Sequence, residues 1–100
     1  VVHPAYLEYI LDTAAPRLAR FARNVWGVSG EGKSETEQAK EGIAALRKFF
    51  HEELGAPATL RELGVPEDCF ARVAELTDLG CYAYQPLTAD DVVKILRRCY

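Results

Sequence analysis

Apolar side chains return at three- and four-residue intervals along almost the whole chain, and that period points to helices packed on helices. Leu18, Phe21, Ala22 and Val25 stand at i, i+3, i+4 and i+7, which predicts a stripe along one helix face. Thr13 is placed to cap that helix and Gly27 to end it. Upstream, Tyr6, Tyr9 and Ile10 share one face of a shorter helix, with Pro4 in its opening turn. A polar loop over residues 29–33 follows. Ser34 and Glu37 then form an S-x-x-E capping box, and Glu35 adds charge at the positive end of the helix dipole. The helix so opened presents Ala39, Ile43, Leu46 and Phe50, and Gly55 stops it. Gly42 in its interior costs about 1 kcal/mol relative to Ala, so a close helix–helix approach is expected there.

The second half follows the same grammar. Thr59 and Glu62 predict a very short capped helix closed by Gly64. Pro66 opens another, with Phe70, Val73 and Ala74 inward and Leu76 beside them. Thr88 caps the last helix, Asp90 and Asp91 occupy its first turn, and Val92, Ile95, Leu96 and Cys99 line its core face. Residues 81–87 alternate weakly; without a partner strand they are expected to form an ordered loop. The expected fold class is all-α, a compact bundle of five to six helices, as one domain over residues 1–100.

Composition agrees. At 100 residues, 49% apolar and 27% charged, the chain can bury one real core. Its net charge of −3, with both signs mixed along the sequence, argues against a nucleic-acid backbone as partner. No apolar run approaches the ~20 residues that span a bilayer, so no membrane association is expected. Cys69, Cys81 and Cys99 are odd in number and contain no CxxC pair; they read as reduced thiols of a cytoplasmic protein, Cys69 and Cys99 as small core residues. The sequence opens Val-Val-His-Pro without basic leader or signal core and contains no Met, as expected for a piece of a longer protein.

The residues assemble no complete active site. Gly30 and Gly32 lie in a polar loop without a preceding strand, so they make no phosphate cradle. His3 and His51 are far apart, and His51 near a helix end reads as a solvated side chain. Glu52 with Glu53, and Asp90 with Asp91, point to different helix faces and read as solvated or capping charges. Arg17, Arg20 and Arg23 form a ridge that reads as an exposed face flanking the apolar stripe. Trp26, just inside a helix end, reads as a partly buried anchor. The loop with Cys81, Tyr82, Tyr84 and Gln85 is the one stretch rich in groups able to contact a ligand. No catalytic, cofactor-binding or metal-ligating residue is assigned.

Four segments carry a further signal: Asn24-Val-Trp-Gly-Val28, Ile43-Ala-Ala-Leu-Arg-Lys-Phe-Phe50, Leu54-Gly-Ala-Pro-Ala-Thr-Leu-Arg-Glu-Leu-Gly64 and Pro86-Leu-Thr-Ala-Asp-Asp-Val92. In this order and spacing they resemble the C-terminal helical domain of the iron-containing alcohol dehydrogenases, of dehydroquinate-synthase-like fold, and most closely the butanol dehydrogenase branch. The opening Val-Val-His-Pro-Ala-Tyr-Leu is similar to the helix after that family's metal-binding His-Gly segment. The resemblance implies a parent oxidoreductase that interconverts a primary alcohol and an aldehyde. Its N-terminal α/β domain would bind NAD(P), and an Asp and three His would hold a divalent metal, iron or zinc. Those ligands and the dinucleotide site would lie upstream of Val1, so the fragment alone would be inactive and would bind neither group. Its expected partners are the missing NAD(P)-binding domain and further copies in a homo-oligomer. Cys81, Tyr82, Tyr84 and Gln85 are expected near the substrate cleft, although Gln85 stands where relatives often carry Arg. Tyr6, Leu7, Phe49 and Val93 are expected to expose an apolar face that the missing domain would cover. The alternative from a different class is a free-standing helical interaction module with a groove for a partner helix.

Overall fold

The computed structural model describes residues 1–79 and 84–100. They form five α-helices: α1 (Val2–Tyr9), α2 (Leu11–Trp26), α3 (Glu35–Lys48), α4 (Phe70–Leu76) and α5 (Ala89–Arg98). Among the described residues there is no strand, and no helix is long and apolar enough to cross a membrane. The all-α class follows from the periodicity. The shape is flatter than a ball, with extents of 43 × 32 × 18 Å and a radius of gyration of 14.5 Å. About 13 Å is usual for a compact chain of this length.

α2 begins at Leu11, so Thr13 is not its cap. Ile10 is 4% exposed, ends α1 and accepts the amide of Ala14 at 2.9 Å; this buried hinge residue takes the cap position, three residues before Thr13. Gly27 does end α2, at φ 66°, where a glycine takes the left-handed conformation at no steric cost. The buried face of α2 is Leu11, Ala14, Ala15, Leu18, Ala19 and Ala22. Val25, expected in that stripe, is 61% exposed. The last turn is anchored instead by Trp26, whose ring lies 5.7 Å from that of Phe49.

Those alanines bring α3 close. A Cβ on Gly42 would sit 2.6 Å from the Cβ of Ala22, so the expected close approach is real and leaves no room for a side chain. Ser34 accepts the Glu37 amide at 3.2 Å and caps α3. Ala39 and Ile43 are fully buried, but Leu46 and Phe50 are only half-buried. At Phe49 the ladder widens to a π turn over Phe49–Glu53, with the Leu54 amide bonding the Phe49 carbonyl. That change of period takes Phe50 off the Ile43 stripe.

The predicted short helix at Thr59 is a turn. One side-chain bond of the motif forms, Glu62 amide to Thr59 Oγ1 at 3.2 Å, but Glu62 Oε2 accepts the amide of Ala58, at 3.1 Å, rather than that of Thr59. Gly64 at φ 72° then closes the segment before a helix can propagate. Leu60 is buried there, and its amide bonds the Cys99 carbonyl at 2.7 Å. Pro66 stands just before a 3-10 turn, Glu67–Cys69, that leads into α4. Phe70 and Ala74 face inward as expected, whereas Val73 and Leu76 are 41% and 69% exposed. α5 keeps its predicted core face in Ile95, Leu96 and Cys99.

Two buried clusters result. One holds Ile10, Leu11, Ala14, Leu18, Ala39 and Ile43 from α1–α3. The other joins Ala5, Leu60, Phe70, Ile95, Leu96 and Cys99. Tyr6, Tyr9 and Leu87 pack against both. Tyr6, Leu7 and Val93 are therefore packing groups rather than an exposed face; of the four residues expected there, Phe49 alone is exposed, at 37%.

Candidate functional site

Two features stand out where α1, α4 and α5 converge. The first is a polar clasp. Thr88 and Asp91 cap α5 reciprocally, the Asp91 amide donating to Thr88 Oγ1 at 3.2 Å and the Thr88 amide to Asp91 Oδ2 at 2.8 Å. The Tyr9 hydroxyl of α1 donates to the remaining oxygen, Asp91 Oδ1. That hydrogen bond, followed by those from Thr88, holds the Asp91 carboxyl below its ordinary range. The same bond, with some desolvation, pushes the Tyr9 hydroxyl up. The Arg98 guanidinium lies 5.9 Å from the Tyr9 ring centroid, within cation–π range. Glu8 pairs with Arg47 of α3 at 2.8 Å and with Arg98 at 3.8 Å. Every member has a structural partner, so the clasp ties three helices together and leaves no group poised for proton transfer.

The second feature is a groove of about 690 Å³, a size typical of ligand sites. Val2 and Tyr6 of α1, Val73 of α4, Leu79, and Val92 and Leu96 of α5 form its mainly apolar wall. His3, Thr77 and Asp78 add polar groups. His3 stacks on Tyr6 at 6.3 Å, and the Thr77 hydroxyl is taken by the Val73 carbonyl at 2.6 Å. Such a wall can hold apolar matter; it assembles no nucleophile with a base.

Of the residues expected near a substrate cleft, Cys81 and Tyr82 lie outside the described residues. Tyr84 is 48% exposed, with the Arg17 guanidinium 5.6 Å from its ring centroid, and Gln85 is half-buried. Neither lines the groove, but Leu79 and Leu87, on either side of that loop in sequence, both do. The arginine ridge is exposed throughout and is divided in its contacts. Arg17 meets Tyr84, and Arg23 donates to Gln38 Oε1 at 2.5 Å. Gln38 is 5% exposed and also donates to the Lys33 carbonyl at 3.0 Å. This buried amide, missed in the sequence because Gln usually faces solvent, fixes the loop before α3. Among the thiols, Cys99 is buried, which pushes its pKa up and keeps it protonated; Cys69 is half-buried. His51 Nδ1 lies 3.2 Å from the Ala56 carbonyl and finishes the π turn.

A family model described as "Fe-containing alcohol dehydrogenase family, C-terminal" matches residues 1–100. The chain belongs to the iron-containing alcohol dehydrogenase family. It is 32% identical over 105 residues to NADH-dependent butanol dehydrogenase A of Clostridium acetobutylicum, a match that covers 100% of this chain. It is 33% identical over 102 residues to the probable NADH-dependent butanol dehydrogenase 2 of Bacillus subtilis, covering 97% of this chain. Butanol dehydrogenase B of Clostridium acetobutylicum is 28% identical over 103 residues. The chain spans about a quarter of the length of these relatives, 26% in each case. No solved structure matches it significantly. The family name implies iron, and the described residues do not fit such a site: no group of three or more His, Cys, Asp or Glu among them could hold a metal ion.

Proposed function

We propose that this chain is the terminal helical quarter of an NADH-dependent alcohol dehydrogenase acting on a primary alcohol of butanol type. In the parent enzyme the alcohol would lose a hydride to NAD and a proton to solvent, giving the aldehyde and NADH. Metal ligands and the dinucleotide site would come from the remaining three quarters of the polypeptide; when bound, the metal would polarise the substrate oxygen. The residues described here would serve by packing. Their seams would hold the plate together, and Leu79 and Leu87 line the apolar groove. Cys81, Tyr82, Tyr84 and Gln85 remain our candidates for the rim of the substrate cleft. The observation that carries this reading is the match over residues 1–100 to the C-terminal region of this family.

A chimera tests it. This chain replaces the last quarter of the Bacillus subtilis relative, and NADH oxidation is followed with butanal. The expected outcome is metal-dependent turnover by the chimera and none by the 100-residue chain alone. A chimera with helical circular dichroism and a cooperative melt, yet no turnover beside an active parent, would overturn the reading. A start codon directly before Val1 in the gene would instead favour the interaction-module alternative.

A further inference from the structure

A second cavity, of about 530 Å³, is walled by α1, α2, α3 and α5 and shares no residue with the apolar groove. One stripe of α3 runs along it: Thr36, Lys40, Ile43, Ala44 and Arg47 stand at i, i+4, i+7, i+8 and i+11, all on one helix face. Lys40 and Arg47 are therefore two turns apart, about 10 Å along the axis. Between them the floor is apolar. Ile43 is 1% exposed and Leu11 of α2 is 9% exposed, with Ala44 beside them. The ends of the stripe are polar. At one, the Glu8 carboxylate meets Arg47 at 2.8 Å and Arg98 at 3.8 Å, so two guanidinium groups share a single acid. Their side chains are 48% and 51% exposed, and most of their N–H donors remain reachable from solvent. Lys40 and the Thr36 hydroxyl mark the other end, and Asp12 is the remaining acid of the wall. Asp12 sits in the first turn of α2, where the positive end of the helix dipole offsets part of its charge. The wall thus has three cations to two acids, in a chain whose net charge is −3.

We propose that this cavity binds a medium-chain carboxylate, its carboxylate against Arg47 and Arg98 and its chain lying over Leu11, Ile43 and Ala44 toward Lys40. A guanidinium matches both oxygens of a carboxylate at once, which a lone ammonium does not. Glu8 holds the two guanidinium groups in place beforehand, so binding does not have to order two long side chains. The floor then selects for the apolar part of the ligand. A chain of about 10 Å reaches from the arginines to Lys40, whereas a shorter one leaves Ile43 and Leu11 facing water. The volume is within the range of sites for small organic molecules. Nothing in this match depends on the reaction proposed above.

The test is calorimetric titration of sodium octanoate into the protein at low ionic strength, where exposed charges are least screened. Octanoate should bind at a single site. Acetate and 1-octanol should bind at least about tenfold more weakly, because each lacks one half of the match. Ala44→Glu places a like charge in the middle of the floor and should abolish binding. Ala44 is exposed on α3, so the variant should keep the parent's melting temperature. Arg98→Gln should weaken binding by about tenfold. Lys48→Gln removes an α3 cation outside the cavity, paired with Glu52, and should leave octanoate binding unchanged. Four results would overturn the proposal. Octanoate could give neither heat nor a rise in melting temperature at millimolar concentration. Acetate or inorganic phosphate could bind as tightly as octanoate, which would reduce the site to a patch for any anion. 1-Octanol could bind as tightly, which would remove the arginines from the recognition. Octanoate could bind the Ala44→Glu variant as it binds the parent, which would put the ligand elsewhere on the protein. All four are read without turnover, so failure here and failure of the proposed reaction are distinguishable.

Discussion

The two helical halves solve the packing problem differently. Along the α2–α3 seam, Ala14, Ala15, Ala19, Ala22, Ala39 and Gly42 are small, so the backbones meet and both facing surfaces are used up. Around α1, α4 and α5 the core uses one large residue, Phe70, with Ile95, Leu96 and Leu60 about it, and an apolar wall remains open beside it. A seam of small residues is complete when two helices touch. A core built on a bulky aromatic needs a ring of neighbours, and here the ring has a gap. The lesson is that this chain carries one finished interface and one unfinished one.

Phe70→Ala is the sharpest probe of the unfinished half. Phe70 is 2% exposed, so truncation should cost about 3–5 kcal/mol in urea unfolding. A loss below about 1 kcal/mol would show that this half is loosely packed around Phe70. Gly42→Ala probes the finished seam and should cost less. Overpacking against Ala22 costs about 1–3 kcal/mol, partly offset by about 1 kcal/mol of helix propensity, so a net loss is expected. A stabilised variant would mean that the seam can open, and the contrast between the halves would fall.

The smallest effect concerns the clasp between α1 and α5. The Asp91 carboxyl is held below its ordinary range, so the clasp contributes stability above pH about 4 and loses it as pH falls through the depressed folded value. The Tyr9 hydroxyl is pushed up, so its contribution is present below pH about 10 and is lost as pH rises through the raised folded value. Tyr9→Phe should lower the melting temperature slightly at neutral pH and flatten its fall at both extremes. Identical pH profiles for the two proteins would show that the clasp does not couple α1 to α5.

Local signals in the sequence determined several helix ends where the signal was a side chain or a glycine, although Thr13 and Thr59 start no helix. Ser34, Thr88, Gly27 and Gly55 act within one turn of their own backbone, and each does what its chemistry dictates. Period alone likewise determined the all-α class and the inner residues Ile43, Phe70, Ile95 and Leu96. The family resemblance was legible too, since it depends on the order of segments rather than on contacts. Tertiary structure decided the rest, because burial belongs to pairs of surfaces. Val25, Val73 and Leu76 carry the right period yet face solvent for want of a facing helix, and Ile10 replaces Thr13 as the start of α2 because a hinge residue is buried there. Tyr9 with Asp91 and Arg23 with Gln38 join residues 82 and 15 positions apart, a distance over which local sequence carries no signal. The open groove is the extreme case: its wall residues are all in the sequence, but only the fold sets Val2, Val73, Val92 and Leu96 around one opening.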